Sequence, residues 1–281
     1  MNTVDYKSRM PLGSRGNQAK FQIGNKIVKI DTYADGKRIC TEGLYEVLCS
    51  RLIQSGSCHV AHVDYDFCKI QVNDMILSGC ISDNFIPAGA SEYTLQEIYN
   101  KYNKKRKLAW ELSKKWPYQS PEKAVNAVIR DLQKAGVTSA SSYIHRLLFF
   151  DTVFRNTDRH ANNYSFLQMP DHTIEPAPLF DFGMAFGANT HALFEPPKLF
   201  FPSGQDVMHF LYQECDRHEW NMWGVPDYLL FSQTDFDSFI AEAALYYTAN
   251  ELELIKYSLC EAVLDFPDIF PNLDAIQISK L

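Results

Sequence analysis

DTVFRNTDRHANNYSFLQMPDHTIEPAPLFDFG, residues 151–183, gathers an acid, an amide and a second acid into one short stretch. Asp158 and Asn163 stand five positions apart, and Asp181 opens an Asp-Phe-Gly directly after the apolar pair Leu179-Phe180. Hard oxygens in this order suit a magnesium ion held against phosphate. Mg²⁺ takes one or two protein oxygens and fills its remaining positions with water and phosphate. Asp158 is the candidate for orienting an attacking hydroxyl, and Asn163 and Asp181 are the candidate metal ligands. Taken singly, each residue has a bland reading, with Asp158 and Arg159 in surface ion pairs and Asn163 capping a turn. It is the ordered set that speaks for chemistry. His160 admits three roles: the base itself, a support for the Asp-Phe-Gly backbone, or a stabiliser of the transition state. Zinc does not fit, because the histidines show no pairing at ligand spacing and no cysteine lies near.

Upstream, the first third reads as β-rich with one helix. Lys20–Ile23 and Lys26–Ile30 alternate in polarity around Gly24-Asn25, which predicts a tight hairpin. Thr41 is the expected N-cap of a helix to about Gln54, with Leu44, Val47, Leu48 and Leu52 on one face. Strands are expected at Val60–Tyr65, Phe67–Val72 and Met75–Ile81. Lys29 sits in mid-strand between Val28 and Ile30, an uncomfortable place for a lysine unless its face lines a polar cleft. Glu46 on the following helix is its candidate partner, with Glu42 one turn earlier as the alternative. Before the first strand, Gly13-Ser14-Arg15-Gly16-Asn17-Gln18-Ala19-Lys20 offers small residues whose backbone N–H groups can approach phosphate. A plain flexible loop would look the same.

From Ser91 the pattern turns helical, with expected helices at Leu95–Leu112, Pro121–Ala135, Ser139–Thr152, Gln205–Asp216, Thr234–Tyr247 and Glu251–Asp265. The motif segment interrupts them with a short strand at Tyr164–Leu167, a turn at Pro170-Asp171-His172, and a strand leading into Pro178–Phe180. The change near residue 85 marks the expected boundary between a β-rich lobe, 1–85, and a helical lobe, 86–281.

Composition sets the outer limits. The 281 residues are 46% hydrophobic and 22% charged, ordinary for a globular chain with a good core. A net charge of −7 argues against DNA binding by the chain alone. The basic run Lys101–Lys107 goes against that balance and reads as a solvated helix face, or as a patch for an acidic partner or membrane surface. Seven scattered cysteines without a Cys-x-x-Cys fit reduced thiols and a cytoplasmic location. No secretory signal is visible, and no run approaches the roughly 18 apolar residues that span a bilayer. Phe194, Leu199, Phe200 and Phe201 follow the metal motif, as core residues or as contacts for a protein substrate.

These motifs resemble a known family. Asn156–Asn163 with Pro178–Gly183 is similar to the catalytic loop and metal motif of HipA-type serine/threonine kinases, and to the Asp-Arg-His-x-x-Asn and Asp-Phe-Gly of phosphatidylinositol 3-/4-kinases. Gly16–Lys20 resembles the HipA-type phosphate loop, while Glu46–Leu52 and Gly79–Phe85 look like the compact, CtkA-like bacterial branch. The resemblance implies an α+β, two-lobed protein-kinase-like fold with ATP between the lobes. Ser14, Gly16, Gln18 and either Lys20 or Lys29 would meet the phosphates, with Glu46 behind the lysine. Cys80, Ser82 and Phe85 would mark the adenine end, Asp158 the acceptor hydroxyl, and Asn163 with Asp181 the Mg²⁺. The family's autophosphorylated serine is offset here, with Gly13 in its place and Ser14 one position on, which leaves self-modification open. The start of the chain close to the phosphate loop suggests a minimal kinase core without the extra N-terminal domain of HipA itself. The implied activity is an ATP- and Mg²⁺-dependent serine/threonine protein kinase acting on a protein substrate. The alternatives are a phosphoinositide or small-molecule kinase, and a non-catalytic pseudokinase, against which the Asp158, Asn163 and Asp181 set argues.

Overall fold

The computed structural model describes residues 3–5, 10–11, 18–34, 36–57, 59–72, 74–102, 121–156, 158–159, 162–187 and 228–280. Along the chain come β1 (Thr3–Asp5), β2 (Met10–Pro11), β3 (Lys20–Ile23), β4 (Lys26–Ile30), β5 (Tyr33–Ala34), β6 (Lys37–Arg38), α1 (Glu42–Gln54), β7 (Asp66–Val72) and β8 (Met75–Asp83). Then follow β9 (Ser91–Thr94), α2 (Leu95–Tyr102), α3 (Pro121–Lys134), α4 (Ala140–Val153), β10 (Ser165–Gln168), β11 (Ile174–Pro176), α5 (Gln233–Ala243), α6 (Ala249–Asp265) and α7 (Ala275–Ile278). Two compact units result. The first takes the described residues within Met1–Asn84, Phe180–Leu193 and Asp227–Leu281, and the second those within Phe85–Leu179 and Phe194–Pro226.

The first unit is built on a six-stranded sheet in the order β1-β7-β8-β4-β3-β2. Its pairings are antiparallel except β1 with β7. The β3–β4 hairpin forms where expected, and Gly24, at φ 58°, supplies the left-handed residue that a two-residue turn needs. Period-two alternation then sorts the strands by face. Phe21, Val28, Ile30, Cys68 and Ile70 form one apolar cluster. Lys20 and Lys29 stand directly opposite each other and turn to the other face, with Cys80 opposite Lys29 on β8.

Helix α1 covers that second face. Two glycines make the approach possible: a Cβ on Gly43 would come within 2.8 Å of the Gly79 backbone, and one on Gly79 within 2.0 Å of the Lys29 carbonyl oxygen. Thr41 is the N-cap residue by position, but its side chain makes no cap bond. Asp31, from the end of β4, supplies the cap instead by accepting the Gly43 N–H at 2.7 Å. The C-terminal helices belong to the same unit and start on capping boxes, Ser232 with Asp235 and Thr248 with Glu251. They bury Phe67 among Phe239, Tyr246 and Tyr247, at ring separations of 5.2–5.7 Å.

Two expectations about elements need correction. Val60–Tyr65 forms no strand: Val60, Val63 and Tyr65 are buried in irregular chain. Its polar groups are met by side chains, with the Tyr65 N–H donating to Ser50 Oγ and His62 Nδ1 contacting the Val60 carbonyl. The helical pattern does not set in at Ser91, although α2 begins at Leu95 as expected. Ser91–Thr94 is a strand, β9, that pairs antiparallel with β10, and the three-stranded sheet β11-β10-β9 belongs to the second unit. Thr94 then caps α2 through a reciprocal exchange with Glu97. The short strands β1 and β2 carry no alternation long enough to reveal them. The expected continuation of α2 to Leu112, the helix at Gln205–Asp216, most of the basic run and the aromatics at 194–201 lie outside the described residues. Among the described residues no helix is long and apolar enough to cross a membrane.

Candidate active site

In the first unit, Lys29 is 3% exposed and Glu46 1%, and they form an ion pair. Glu42, the alternative partner, faces elsewhere and accepts from the Thr32 N–H and hydroxyl at 3.1 and 2.6 Å. The Lys29 ammonium also donates to Asp181 Oδ1 at 3.1 Å, and Lys20 Nζ lies 3.8 Å from the same oxygen. Both candidate lysines therefore meet at one carboxylate. Burial is the strongest influence on Lys29 and disfavours its charged form. The negative field of Glu46, Tyr65, Asp181 and Cys80 outweighs it and holds the pKa well above the ordinary lysine value. Lys29 is a committed cation.

Local backbone geometry aims these groups. Asp181 sits at φ 68°, left-handed territory that aspartate tolerates better than most residues but that still carries strain. Glu46 Oε2 accepts the Phe182 N–H at 3.0 Å, so one carboxylate grips both the lysine and the backbone of the Asp-Phe-Gly. Gly183 presses on α1, where a Cβ would meet Glu42 Cβ at 2.9 Å.

At the edges of this cluster, Gln18 has a buried Nε2 with no hydrogen-bond partner. An amide donor buried without an acceptor costs energy, and a phosphate oxygen would satisfy it. Cys80 is fully buried beside Lys29, and burial, with Glu46 adding to it, pushes its thiol well above the ordinary range. Ser82 is buried opposite Ile27 of β4. Phe85 is half-buried at the start of the second unit. Ser14, Gly16 and His160 lie outside the described residues.

In the second unit, the loop after α4 is shaped by a buried charge network. Arg159, fully buried, donates from Nε to Asp151 Oδ2 at 2.9 Å and from Nη2 to Oδ1 at 3.1 Å, while Nη1 reaches the Asn163 carbonyl at 2.9 Å. Asn156 Nδ2 donates to the same Asp151 at 2.8 Å. Arg159 is thus an internal strut and not a surface charge. Its neighbour Asp158 is turned outward and exposed. The Asn163 amide nitrogen donates to the Asp158 carbonyl at 2.9 Å, which leaves its oxygen as the ligand end. Sequence reasoning missed Asp151 and Asn156 as supports. The available signal was the acid at the end of the apolar run Leu147–Phe150, a position an aspartate holds only with a buried partner.

Neither a protein-family model nor a curated protein matches the sequence. Among solved structures, the chain is similar to the crystal structure of the Helicobacter pylori proinflammatory kinase CtkA, with a TM-score of 0.59 and 12% identity, over 99% of this chain and 97% of that one. It is also similar to a chain of the Shewanella oneidensis MR-1 toxin–antitoxin complex of HipA, HipB and operator DNA, with a TM-score of 0.45 and 16% identity, over 96% of this chain and 64% of that one. The first likeness establishes the fold as mixed α+β and kinase-like, with the sheet N-terminal and helices C-terminal.

Proposed function

We propose that the chain is an ATP- and Mg²⁺-dependent phosphotransferase whose acceptor is a serine or threonine hydroxyl of a protein. One observation carries the reading: Lys20 and Lys29 stand in direct cross-strand register and both point at Asp181. Like charges directly opposite on a sheet are destabilising. Such a pair suits a site that a polyanion visits, and the orphaned Gln18 amide before β3 fits the same visitor.

The donor types suit both groups. The Asp181 carboxylate and the Asn163 amide oxygen are each of the kind that would hold a cation which takes its other ligands from phosphate and water. When bound, Mg²⁺ supplies neutralisation of the phosphate charge. Lys29, fixed by Glu46, and Lys20 hold the phosphates, with Ser14, Gly16 and Gln18 in the loop before them. Cys80, Ser82 and Phe85 mark the adenine end. Asp158 orients the acceptor hydroxyl and takes its proton, and His160 supports the loop. The protein acceptor rests on the resemblance of Asn156–Asn163 to serine/threonine kinases.

The test pairs binding with turnover. Asp181→Asn is expected to weaken Mg²⁺-dependent ATP binding in calorimetry. Asp158→Asn should keep that binding while phosphate transfer to the chain itself or to protein falls by about 10²–10⁴-fold. Equal loss of binding in both variants would contradict the roles. If Mg-ATP gives the wild type neither thermal stabilisation nor phosphate incorporation, the reading fails altogether. Incorporation into phosphoinositide vesicles and not into protein would reassign the acceptor.

A further inference from the structure

Asp31, Arg38 and Glu251 take no part in the chemistry proposed above, yet they are drawn together inside the first unit, with side-chain exposures of 0%, 11% and 20%. Arg38 grips Glu251 with its fork, Nε to Oε1 at 2.7 Å and Nη2 to Oε2. Its Nη1 reaches the Tyr246 carbonyl at 3.2 Å and lies 3.5 Å from Asp31 Oδ2, while the guanidinium covers the Tyr247 ring at 4.5 Å. Asp31 in turn holds the Gly43 N–H at the first turn of α1. One turn further along that helix, Glu46 meets Lys29 and the Phe182 N–H. A line of polar contacts therefore runs from the first turn of α6 to the lysine pair. Helices α1 and α6 both also touch the turn Ala185–Gly187 that follows the Asp-Phe-Gly.

We propose that Glu251 is a positioning residue, which acts through Arg38 and Asp31 to hold α1 where Glu46 can engage Lys29 and the Asp-Phe-Gly backbone. The arrangement has a physical reason. Thr41 gives α1 no side-chain cap, so the Gly43 N–H at the start of the helix depends on Asp31 for its acceptor. A fully buried carboxyl group keeps its place only where polar groups stand against it, whichever way it is protonated. Arg38 Nη1 stands 3.5 Å from Asp31 Oδ2, and the orientation of the guanidinium is set by the bidentate grip of Glu251. The C-terminal helices have a second charged link to α1, Arg51 Nη2 to Glu242 Oε2 at 2.6 Å, with the guanidinium over Phe67 and Phe239. That link reaches the far end of the helix, away from Gly43, and serves as the comparison. The proposal rests on the phosphotransfer reading for its effect on turnover, but not for its effect on α1.

The experiment measures amide hydrogen exchange of Gly43 and Phe182 by NMR on the full, nucleotide-free chain. Glu251→Gln is expected to raise exchange of both amides by about tenfold or more, as the loss of a charge-assisted buried contact allows, whereas Arg51→Gln changes them by less than about threefold. In the same Glu251→Gln protein, kcat/KM for Mg-ATP should fall by about tenfold. The proposal is overturned if both amides keep their protection in Glu251→Gln, or if the two variants release them alike. If Glu251→Gln does not fold, Arg38→Lys replaces it under the same criteria, because lysine keeps the charge and loses the fork. A wild type that never turns over Mg-ATP would refute the phosphotransfer reading, and the exchange rates would still decide whether Glu251 positions Glu46.

Discussion

Lys29 shows at the scale of one residue how a structural demand and a chemical one are separable. With its side chain 4% exposed and that of Glu46 at 0%, the pair has left water, and removing one member strands the other. Lys29→Met is expected to cost about 3–5 kcal/mol in urea unfolding, because Glu46 keeps a buried charge with no cation. Adding Glu46→Gln should return part of that loss, since the glutamine amide oxygen still accepts the Phe182 N–H and no charge is left behind. Binding of Mg-ATP should recover in neither protein. If stability and binding returned together, the lysine would be a strut and nothing more. Which residues were legible in the sequence follows from how each is exposed to pattern reading. Lys29 was visible because a charge in mid-strand between valine and isoleucine violates the local rule. Asp31 was not: it lies just past the strand end, where an aspartate looks like any turn residue, and only the fold shows that it is 2% exposed and caps a helix. Arg159 misled for a similar reason. An Asp-Arg-His in a loop reads as solvated, and nothing local reveals that Asp151, eight residues earlier, waits inside for the guanidinium.

At the scale of elements, α1 is held at its start by contacts that admit no slack. Gly79→Ala places a Cβ 2.0 Å from the Lys29 carbonyl oxygen, backbone against backbone, so β4 and β8 must part. A loss of about 3 kcal/mol or more, or failure to fold, is expected in chemical denaturation. Gly183→Ala meets Glu42 Cβ at 2.9 Å and pushes on the first turn of α1, so nucleotide affinity should suffer more than stability. Calorimetry and urea melts on the same protein separate the two. The same turn carries a pH dependence. Burial pushes the Asp31 carboxyl up to about 8, against the Gly43 N–H, Arg38 and the Tyr247 hydroxyl, which lower it, while Glu42 adds to the rise. The folded chain thus binds this proton more tightly than the unfolded chain, whose aspartate titrates near 3.8. Between those values folding takes up a proton, so raising the pH from about 4 to about 8 costs stability through Asp31. Asp31→Asn should flatten that part of the Tm–pH profile, and an unchanged slope would show that Asp31 ionises freely in the fold. Among the elements, hairpins and long amphipathic helices were readable because their period repeats several times. Val60–Tyr65 buries Val63 and Tyr65 two apart, as a strand does, but Val60 breaks the alternation, and a run this short does not tell a strand from irregular chain. Ser91–Thr94 is too short for any period, and its strand character comes from pairing with β10, which lies far along the chain.

The whole molecule is threaded so that the first unit is discontinuous: the chain leaves it after Asn84, passes through again at Phe180–Leu193, and returns at Asp227. Sequence reading places the amphipathic faces of 233–265 without saying which sheet they cover, because periodicity reports that a face is buried and not what it is buried against. The covered surface belongs to the N-terminal sheet and α1. Phe67 packs on Phe239, Tyr246 and Tyr247, Arg51 pairs with Glu242, Arg38 with Glu251, and Gly56 bridges to Leu229. A chain ended after residue 227 therefore keeps every strand of the sheet and loses the partners of its α1 face. Phe67 would then meet water, and Arg38 and Asp31 would be left as a buried pair without the carboxylate that orients the guanidinium. The expected outcome is selective. Backbone amides of β4, β7 and β8 should lose exchange protection and the protein should bind a hydrophobic dye, while α4, which belongs to the second unit and packs with α3, keeps its slow amides. If β7 and β8 remain protected in the shortened chain, the sheet and α1 are self-sufficient. The C-terminal helices would then be a later addition, and the route from Glu251 to Glu46 would have no structural basis.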